Sequence, residues 1–163
     1  MGRTDEYFSF FPEDPIMSSR WSFSTEVRVR LPETDAFGIV FHGYYFTYFD
    51  VARMDYLRNI NAIDFISPKH GCTNVIAQSN ADFVSPARFD DVLVISARIT
   101  EIGRTSFQFE FEVSHKGENR ITARGKSVHV VLNEQEWKPI PVPEDFRKLV
   151  RDFEGDQLRK KSS

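Results

Sequence analysis

A change in the spacing of apolar residues constrains the fold more than any other feature of the sequence. Residues 26–31 alternate between polar and apolar, which is typical of a strand with one buried face, and Pro32 ends the run. In residues 43–60 the apolar positions instead recur every three or four residues. This spacing predicts an amphipathic helix of roughly four to five turns that starts at or just after His42.

The remainder of the chain has the pattern of consecutive strands. Phe107, Phe109, Phe111 and Val113 alternate with polar residues, and this apolar stripe is expected to face the core. Short turns such as "HKGENR" join the strands, which predicts an antiparallel sheet, and a last short helix is expected at 144–153. The fold class is therefore α+β, with about five antiparallel strands and one long helix. The four later strands are predicted at 74–84, 92–101, 104–115 and 121–132.

Length and composition indicate one globular domain. The chain has 163 residues, of which 40% are apolar and 28% charged, enough for a sizeable core. We predict an irregular N-terminal arm at 1–22, a single domain at 23–154 and a flexible C-terminal tail at 155–163. The net charge of −3 gives no broad positive surface for nucleic acid, so no nucleic-acid partner is expected.

Cysteine content and hydropathy exclude several further classes. Cys72 is the single cysteine, so no intramolecular disulfide and no cysteine-based zinc site is expected, and the histidines have no metal-ligand spacing. No stretch approaches the length of a membrane span, and residues 1–20 lack the apolar core of a signal peptide. A cytoplasmic location is the default expectation. A sheet that covers one long helix leaves a strand edge and apolar surface open, which favours edge-to-edge homodimers.

The turn "TDAFGIVFHGYY" contains the first candidate site. It places Asp35 seven residues before His42, with Phe37, Ile39, Val40 and Phe41 between them. The residues alone leave two interpretations open: Asp35 forms an Asx turn between strand and helix, or it is a carboxylate that acts in chemistry. In the second case the apolar residues would keep water from the carboxylate and raise its reactivity.

Two stretches carry a resemblance to a known family. "TDAFGIVFHGYYFTYFDVARMDYLR" resembles the signature of hotdog-fold acyl-CoA thioesterases of the 4-hydroxybenzoyl-CoA thioesterase family, including the tol-pal-associated branch. "ADFVSPARFDDVLVISARITEIGRTSF" is similar to the returning strands of that family, and the likeness spans about residues 25–143. The resemblance implies a hotdog fold, a sheet wrapped around the long helix. It also implies homodimers that often assemble to homotetramers, active sites at the dimer interface, and no metal or redox cofactor.

The resemblance also assigns roles to individual residues. Asp35 matches the catalytic aspartate of the family. His42 matches a histidine of the tol-pal-type branch. At that position the hydroxybenzoyl enzyme has a tyrosine, which contributes its backbone N–H. Asp50 matches an acid that receives the ring hydroxyl of the substrate, although pairing with a neighbouring arginine is an equal alternative. Two positions depart from the family: Leu31 stands where many tol-pal-type members have tyrosine, and Pro86 replaces a hydroxyl-bearing pocket residue.

Thioester cleavage needs a nucleophile or base, and donors for the developing oxyanion. Asp35 is expected to be the nucleophile or the general base. The backbone N–H groups of His42, Gly43 and Tyr44 at the helix start are expected to polarise the carbonyl, and Gly43 allows close approach. The His42 imidazole either assists or only bonds locally. Further substrate-binding candidates are Tyr45 and Asp50, with Arg88, Arg104, Arg124 and Lys126 for the phosphates of coenzyme A.

The leading functional prediction is therefore an acyl-CoA thioesterase that acts on medium-chain or aromatic acyl groups, with an acyl carrier protein as a possible alternative carrier. A second class is a hotdog module that binds acyl-CoA or acyl carrier protein ligands without hydrolysis. A third, a hotdog dehydratase or hydratase, places its catalytic His and acid in a different sequence context, and this sequence has no match to it.

Overall fold

The computed structural model of the protein describes residues 20–66 and 71–158. Within those ranges the chain forms five strands and two α-helices, with short 3-10 turns at Leu31–Glu33, Ile63–Ile66 and Gly155–Gln157. The predicted helix and all five predicted strands are present, with ends that move by a few residues. The elements are β1 (Ser24–Arg28), α1 (Tyr44–Asn59), β2 (Cys72–Phe83), β3 (Val92–Ile102), β4 (Ser106–His115), β5 (Ile121–Asn133) and α2 (Glu144–Glu154).

The five strands form one antiparallel sheet in the order β1-β3-β4-β5-β2, and α1 packs on one face of it. The apolar stripe of β4 faces α1, and its members Phe107, Phe109, Phe111 and Val113 are all buried, as predicted. From α1 the core receives mainly aromatic side chains. They include Tyr45, Tyr48, Phe49 and Tyr56. The α+β fold class with one sheet and one principal helix is thus confirmed.

The ends of the predicted domain differ slightly from the structure. Arg20 and Trp21, assigned to an irregular arm, lie against the sheet face that is opposite to α1, where Arg20 donates to Glu110 at 2.7 Å. At the other end, Gly155–Gln157 adds a 3-10 turn and Leu158 packs against the core, so folded structure continues past residue 154. Residues 1–19 and 159–163, the rest of the predicted arm and tail, lie outside the described residues, as do 67–70.

One edge of the sheet is long and open. β2 has 12 residues and pairs with β5 on one side, and within the described residues no strand pairs with its other side. A bulge between Ile76 and Gln78 interrupts its register. The opposite edge, β1, has only 5 residues.

No helix in the described ranges is long and apolar enough to cross a bilayer.

A side chain of α1 packs tightly against the sheet at Gly125 of β5. A Cβ atom placed there would lie 2.3 Å from the Phe49 ring and 3.1 Å from the backbone oxygen of Asn80. Phe49 cannot retreat freely, because it stacks on Phe111 with 4.8 Å between ring centroids. The absence of a side chain at position 125 therefore lets the Phe49 ring of α1 pack directly on β5.

Gly125→Ala is expected to lower the free energy of unfolding by about 1–3 kcal/mol, because the added methyl overpacks the helix-sheet contact. Denaturant unfolding of the two proteins measures the change. Gly117→Ala is the matched control, since its Cβ would meet His115 at an ordinary 3.5 Å. An equal loss in both variants would contradict the proposed close contact.

Candidate active site

The loop between β1 and α1 folds Asp35 into a tight turn. The Asp35 N–H donates to the Ile39 oxygen and the Gly38 N–H donates to the Asp35 oxygen, both at 2.9 Å. Gly38 has φ of +72°, a conformation that glycine adopts without strain. A backbone bridge between Thr34 and Val40 closes the base of the turn. The position of the Asp35 carboxylate is thus fixed by local backbone bonds.

Glu33 fixes this loop to the helix. Its carboxylate accepts hydrogen bonds from the Arg30 backbone N–H at 2.8 Å, from Arg30 Nε at 2.7 Å and from the Tyr48 hydroxyl at 2.8 Å. Glu33 is only 2% exposed. Burial by itself raises the pKa of Glu33, but these hydrogen bonds outweigh it and hold the pKa below its usual range. The sequence prediction missed Glu33. The signal in the sequence was a carboxylate two residues before Asp35, together with Tyr48 on the apolar face of the predicted helix.

The start of α1 presents open backbone donors. Gly43 is the N-cap residue, with φ of −60°, and α1 begins at Tyr44. Within the described residues the N–H groups of His42 and Gly43 have no acceptor, as predicted. The Tyr44 N–H, however, donates to the Phe41 oxygen at 2.9 Å. The expectation that Tyr44 also offers a free N–H is therefore wrong, because the turn into the helix uses that donor.

Asp35 and His42 line the same cavity of about 240 Å³. Tyr45, the other residue predicted here, contributes to its wall, and burial raises the pKa of Tyr45. Pro86, a position where the sequence departs from the family, lies in the wall as well. The sequence prediction missed two further residues, Phe83 and Ser85, which come from the end of β2 and the loop after it. The full lining is Asp35, Ile39, Val40, His42, Tyr45, Phe83, Ser85 and Pro86.

The Asp35 carboxylate has two distinct oxygens. Oδ1 accepts the Phe37 N–H at 2.8 Å, so the Asx turn considered from the sequence is present. Within the described part of the chain, Oδ2 accepts no hydrogen bond. The two interpretations of Asp35 are therefore compatible, since the turn holds one oxygen and leaves the other available at the cavity.

The apolar residues after Asp35 cover the site less than expected. Val40 is buried, but Phe37 is 84% exposed and Phe41 is 44% exposed. The expectation that they shield Asp35 is wrong for Phe37 and Phe41 in a single chain. The reason is that Asp35 and Gly38 bond back on each other, which leaves Phe37 at the tip of the turn.

The basic candidates lie at different ends of the molecule. Arg88 is close to the site, with its Nη1 at 3.4 Å from the Gly38 oxygen. Arg104 lies just after the end of β3, whereas the start of β3 is next to the Asp35 loop. The 11 residues of β3 therefore separate Arg104 from the Asp35 loop by roughly 36 Å, the length of the strand at about 3.3 Å per residue. Arg124 and Lys126 lie on the sheet face opposite to α1 and pair with Glu112 and Glu110 at 3.0 and 3.4 Å. Of the four, only Arg88 lies beside the cavity of its own chain.

Asp50 lies away from the 240 Å³ cavity. It pairs with Arg53, whose Nε donates to Oδ1 at 3.0 Å, which is the alternative that the sequence left open. It lines a separate cavity of about 470 Å³ between α1 and β2. Among the described residues no group of three or more His, Cys, Asp or Glu side chains is arranged to hold a metal ion.

Comparisons with known proteins find relatives among the thioesterases. The family model described as "Thioesterase superfamily" matches residues 37–122, more than half of the chain. The acyl-CoA thioester hydrolase YbgC of Escherichia coli O6:H1 is 27% identical over 124 residues, which cover 76% of this chain and 92% of that protein. A 1,4-dihydroxy-2-naphthoyl-CoA hydrolase of Synechocystis is 24% identical over 141 residues, or 82% of this chain and 97% of that protein.

Solved structures of thioesterases have the same fold as this chain. A thioesterase of Thermus thermophilus, solved in complex with coenzyme A and Zn, has a TM-score of 0.70 and 26% identity, and the match covers 83% of this chain and 96% of that one. A 1,4-dihydroxy-2-naphthoyl-CoA thioesterase structure from Synechocystis has a TM-score of 0.74, 23% identity, and coverage of 81% and 97%. The predicted hotdog arrangement is confirmed.

Replacement of Glu33 by Gln is expected to lower the free energy of unfolding by about 2 kcal/mol at neutral pH, because charged hydrogen bonds inside the protein are lost. The folded pKa of Glu33 is lowered, so its stabilisation is present above its usual value near 4.5 and is lost as the pH falls further. The difference between Glu33→Gln and the unchanged protein should therefore shrink below about pH 4.5. Denaturant unfolding at a series of pH values measures it.

Glu136→Gln is the control for this pH series. Glu136 pairs with Lys138 on the surface and is 65% exposed, so its replacement should change stability by less than about 0.5 kcal/mol. A deficit in Glu33→Gln that stays constant from pH 7 to pH 3 would show that the carboxylate charge is not what stabilises the loop.

Proposed function

Because the chain belongs to the thioesterase superfamily and is a hydrolase, we propose that it cleaves acyl-CoA thioesters at the cavity that holds Asp35 and His42. The observation that supports this most directly is the pairing of two chemical functions on one cavity. Asp35 supplies a carboxylate oxygen, and the start of α1 supplies backbone N–H groups without acceptors in the described chain. Relatives named as acyl-CoA thioester hydrolases support coenzyme A as the carrier.

The helix start polarises the thioester carbonyl. A carbonyl oxygen that faces the N–H groups of Gly43 and His42 meets the positive end of the α1 dipole. These donors belong to the backbone and need no reorganisation as negative charge develops on the oxygen, so they stabilise the tetrahedral intermediate more than the substrate. Gly43 has no side chain, and the Phe41 ring lies 2.9 Å from the place that a Cβ would take.

Asp35 then acts through Oδ2. Either this oxygen attacks the carbonyl carbon and water later hydrolyses the anhydride, or it removes a proton from the water that attacks. Both routes break the carbon–sulfur bond and release a free acid and coenzyme A. The His42 imidazole lines the cavity and can protonate the leaving thiolate, although that thiolate departs readily without help.

The wall of the cavity supports a medium-chain or aromatic acyl group as substrate, because Ile39, Val40, Tyr45 and Phe83 are apolar or aromatic. Arg88 is the best-placed cation for the phosphates of coenzyme A. Arg104, Arg124 and Lys126 are distant from the cavity of their own chain, so a role for them on the phosphates requires a second subunit. Asp50 remains a candidate for a polar group of the substrate.

We further propose that the protein forms a homodimer along β2 and that dimers pair into a homotetramer. The open edge of β2 offers a row of backbone donors and acceptors that a second β2 strand can satisfy. Exposed Phe37 and Phe41 next to Asp35 would gain cover from a partner, which would remove water from the site.

Asp35→Asn is expected to lower kcat/KM for acyl-CoA hydrolysis by at least about 100-fold, because the amide keeps the shape of the turn but is neither a nucleophile nor a base. A thiol-detecting reagent with a panel of short, medium, long and aromatic acyl-CoAs measures the release of coenzyme A. Asp152→Asn is the control, since Asp152 pairs with Lys148 on α2 and should leave kcat/KM unchanged. Full activity of Asp35→Asn, or tight binding of acyl-CoA without turnover by the unchanged protein, would overturn the proposal.

Comparison of Gly43→Pro with Gly43→Ala tests the backbone donor. Both variants add a Cβ that meets the Phe41 ring at 2.9 Å, and the φ of −60° at this position suits proline. Only proline removes the N–H, so kcat should be about 100-fold lower in Gly43→Pro than in Gly43→Ala. Equal kcat values, with circular dichroism showing that both variants are folded, would exclude the Gly43 N–H as an oxyanion donor.

A further inference from the structure

We propose that Ser127 determines specificity in the second cavity, between α1, β2 and β5, by selecting an acyl group that carries a hydrogen-bond donor such as a hydroxyl. This inference rests on the proposed function, because it assigns that cavity to the acyl part of the same substrate. Ser127 is held in an acceptor-only orientation by a chain of hydrogen bonds that runs through His129 and Asn74 to Arg53. The sequence prediction assigned no role in substrate binding to any of these four residues.

The cavity is large enough for an acyl group and has both apolar and polar walls. Its volume is about 470 Å³, within the range of small-molecule sites. Aromatic rings form much of its surface, and Asp50, Arg53 and Ser127 supply polar atoms. The lining is Phe46, Thr47, Phe49, Asp50, Arg53, Ile76, Ser79, Phe111 and Ser127.

Arg53 fixes the orientation of the Asn74 amide. Arg53 Nη1 donates to Asn74 Oδ1 at 3.5 Å, and a guanidinium carries only donors. The amide atom that faces Arg53 must therefore be the oxygen. The same oxygen lies 3.2 Å from His129 Nδ1. Because an amide oxygen only accepts, His129 Nδ1 must carry a hydrogen.

His129 is neutral, so its other nitrogen is an acceptor. The imidazole is fully buried, and it stacks on Phe107 with 5.1 Å between ring centroids and 6° between the planes. Burial, together with the charge of Arg53, lowers the pKa of His129 to about 3, and the charge of Asp50 opposes this only in part. With the hydrogen on Nδ1, Nε2 has a lone pair and no hydrogen.

Ser127 is the end of this chain of bonds. Its Oγ lies 2.8 Å from His129 Nε2, so the hydroxyl must donate its single hydrogen to the imidazole. Only lone pairs of Oγ then remain for the cavity. A ligand group beside Ser127 must supply the hydrogen, and an acceptor placed there would face an oxygen without a hydrogen, at a cost in binding.

The position of the cavity suits the far part of an acyl group. His42 and Asp50 are eight residues apart, which is about 12 Å along a helix. An acyl chain bound with its carbonyl at the start of α1 and extended along the helix would bring its middle or end to Asp50 and Ser127. The cavity is bounded by Ile76 and Ser79 of β2, so the proposed dimer along β2 would also close it to bulk water.

Binding of non-hydrolysable substrate analogues tests the proposal independently of turnover. Thioethers of coenzyme A with an alkyl chain of fixed length would carry, at each successive carbon, either a hydroxyl, which donates, or a ketone, which only accepts. Calorimetry with the full chain should find a position at which the hydroxyl compound binds about tenfold more tightly than the ketone. At that position Ser127→Ala should reduce the ratio of the two dissociation constants to about one.

Comparison of Asn74→Leu with Asn74→Asp tests the chain of bonds without any change in Ser127. A carboxylate at position 74 accepts the His129 Nδ1–H as the amide oxygen does, so Nε2 stays an acceptor and the hydroxyl preference should persist. Leucine removes that acceptor, so the hydrogen of His129 is no longer fixed on Nδ1, and the ratio of the two dissociation constants should fall to about one. A merely structural role of Asn74 could weaken both ligands but would not change this ratio. Ser114→Ala, on the sheet face opposite to α1, is the control and should keep the hydroxyl preference.

The outcomes separate this inference from the proposed function. A hydroxyl preference that Ser127→Ala and Asn74→Leu abolish and that Asn74→Asp retains supports the inference, even if no acyl-CoA is hydrolysed. Hydroxyl and ketone compounds that bind equally at every carbon would overturn it, even if acyl-CoA turnover is normal. A preference that survives in Ser127→Ala would also overturn it, because the selecting group would then lie elsewhere.

Discussion

The carboxylate of Glu33 is the interaction on which the arrangement of the active site depends. It is buried between the loop that carries Asp35 and the helix that carries Gly43, and it bonds to Arg30 on one side and Tyr48 on the other. A buried carboxylate without partners would cost several kcal/mol, so the three donors around it convert a penalty into a fixed connection. Asp35 is two residues away on the same loop. The distance between the carboxylate and the helix start is thus set by a bond that takes no part in the chemistry.

The same helix serves two cavities, and this division explains its mixed surface. One side of α1 buries Tyr45, Tyr48 and Tyr56 against the sheet and lies behind the cavity of Asp35. Further along the helix, α1 presents Asp50 and Arg53 to the larger cavity beside β2. The close contact of Phe49 with Gly125 holds the helix at a fixed height above β5. The depth of the larger cavity therefore depends on core packing as well as on the residues that line it.

The periodicity of the sequence predicts the fold almost completely, because alternation and helical spacing are local properties. The helix start and the tight turn at Asp35 are local too, which is why the residues alone place Asp35, His42 and Gly43 near one another, whereas the catalytic roles proposed for Asp35 and His42 came from the resemblance to the family. Ser85 and Phe83 could not, since they reach the cavity only through the pairing of β2 with β5, which is far along the chain. The distance of Arg104 from the Asp35 cavity of its own chain could not be predicted for a related reason: residues of one strand-rich half lie at both ends of the sheet, and only strand direction decides which.

The network at His129 shows a further limit of reasoning from sequence. Ser127 and His129 are two apart on β5 and so share one face, but alternation predicts only that both are buried. Their chemical roles are set by Asn74 on the neighbouring strand and by Arg53 on the helix, each of which restricts the next group to a single hydrogen-bonding role. Three residues that could each donate or accept in isolation thereby become fixed in direction. The direction of a serine hydroxyl in a cavity is consequently a property of the tertiary structure, and it can be changed at Asn74 without touching the serine.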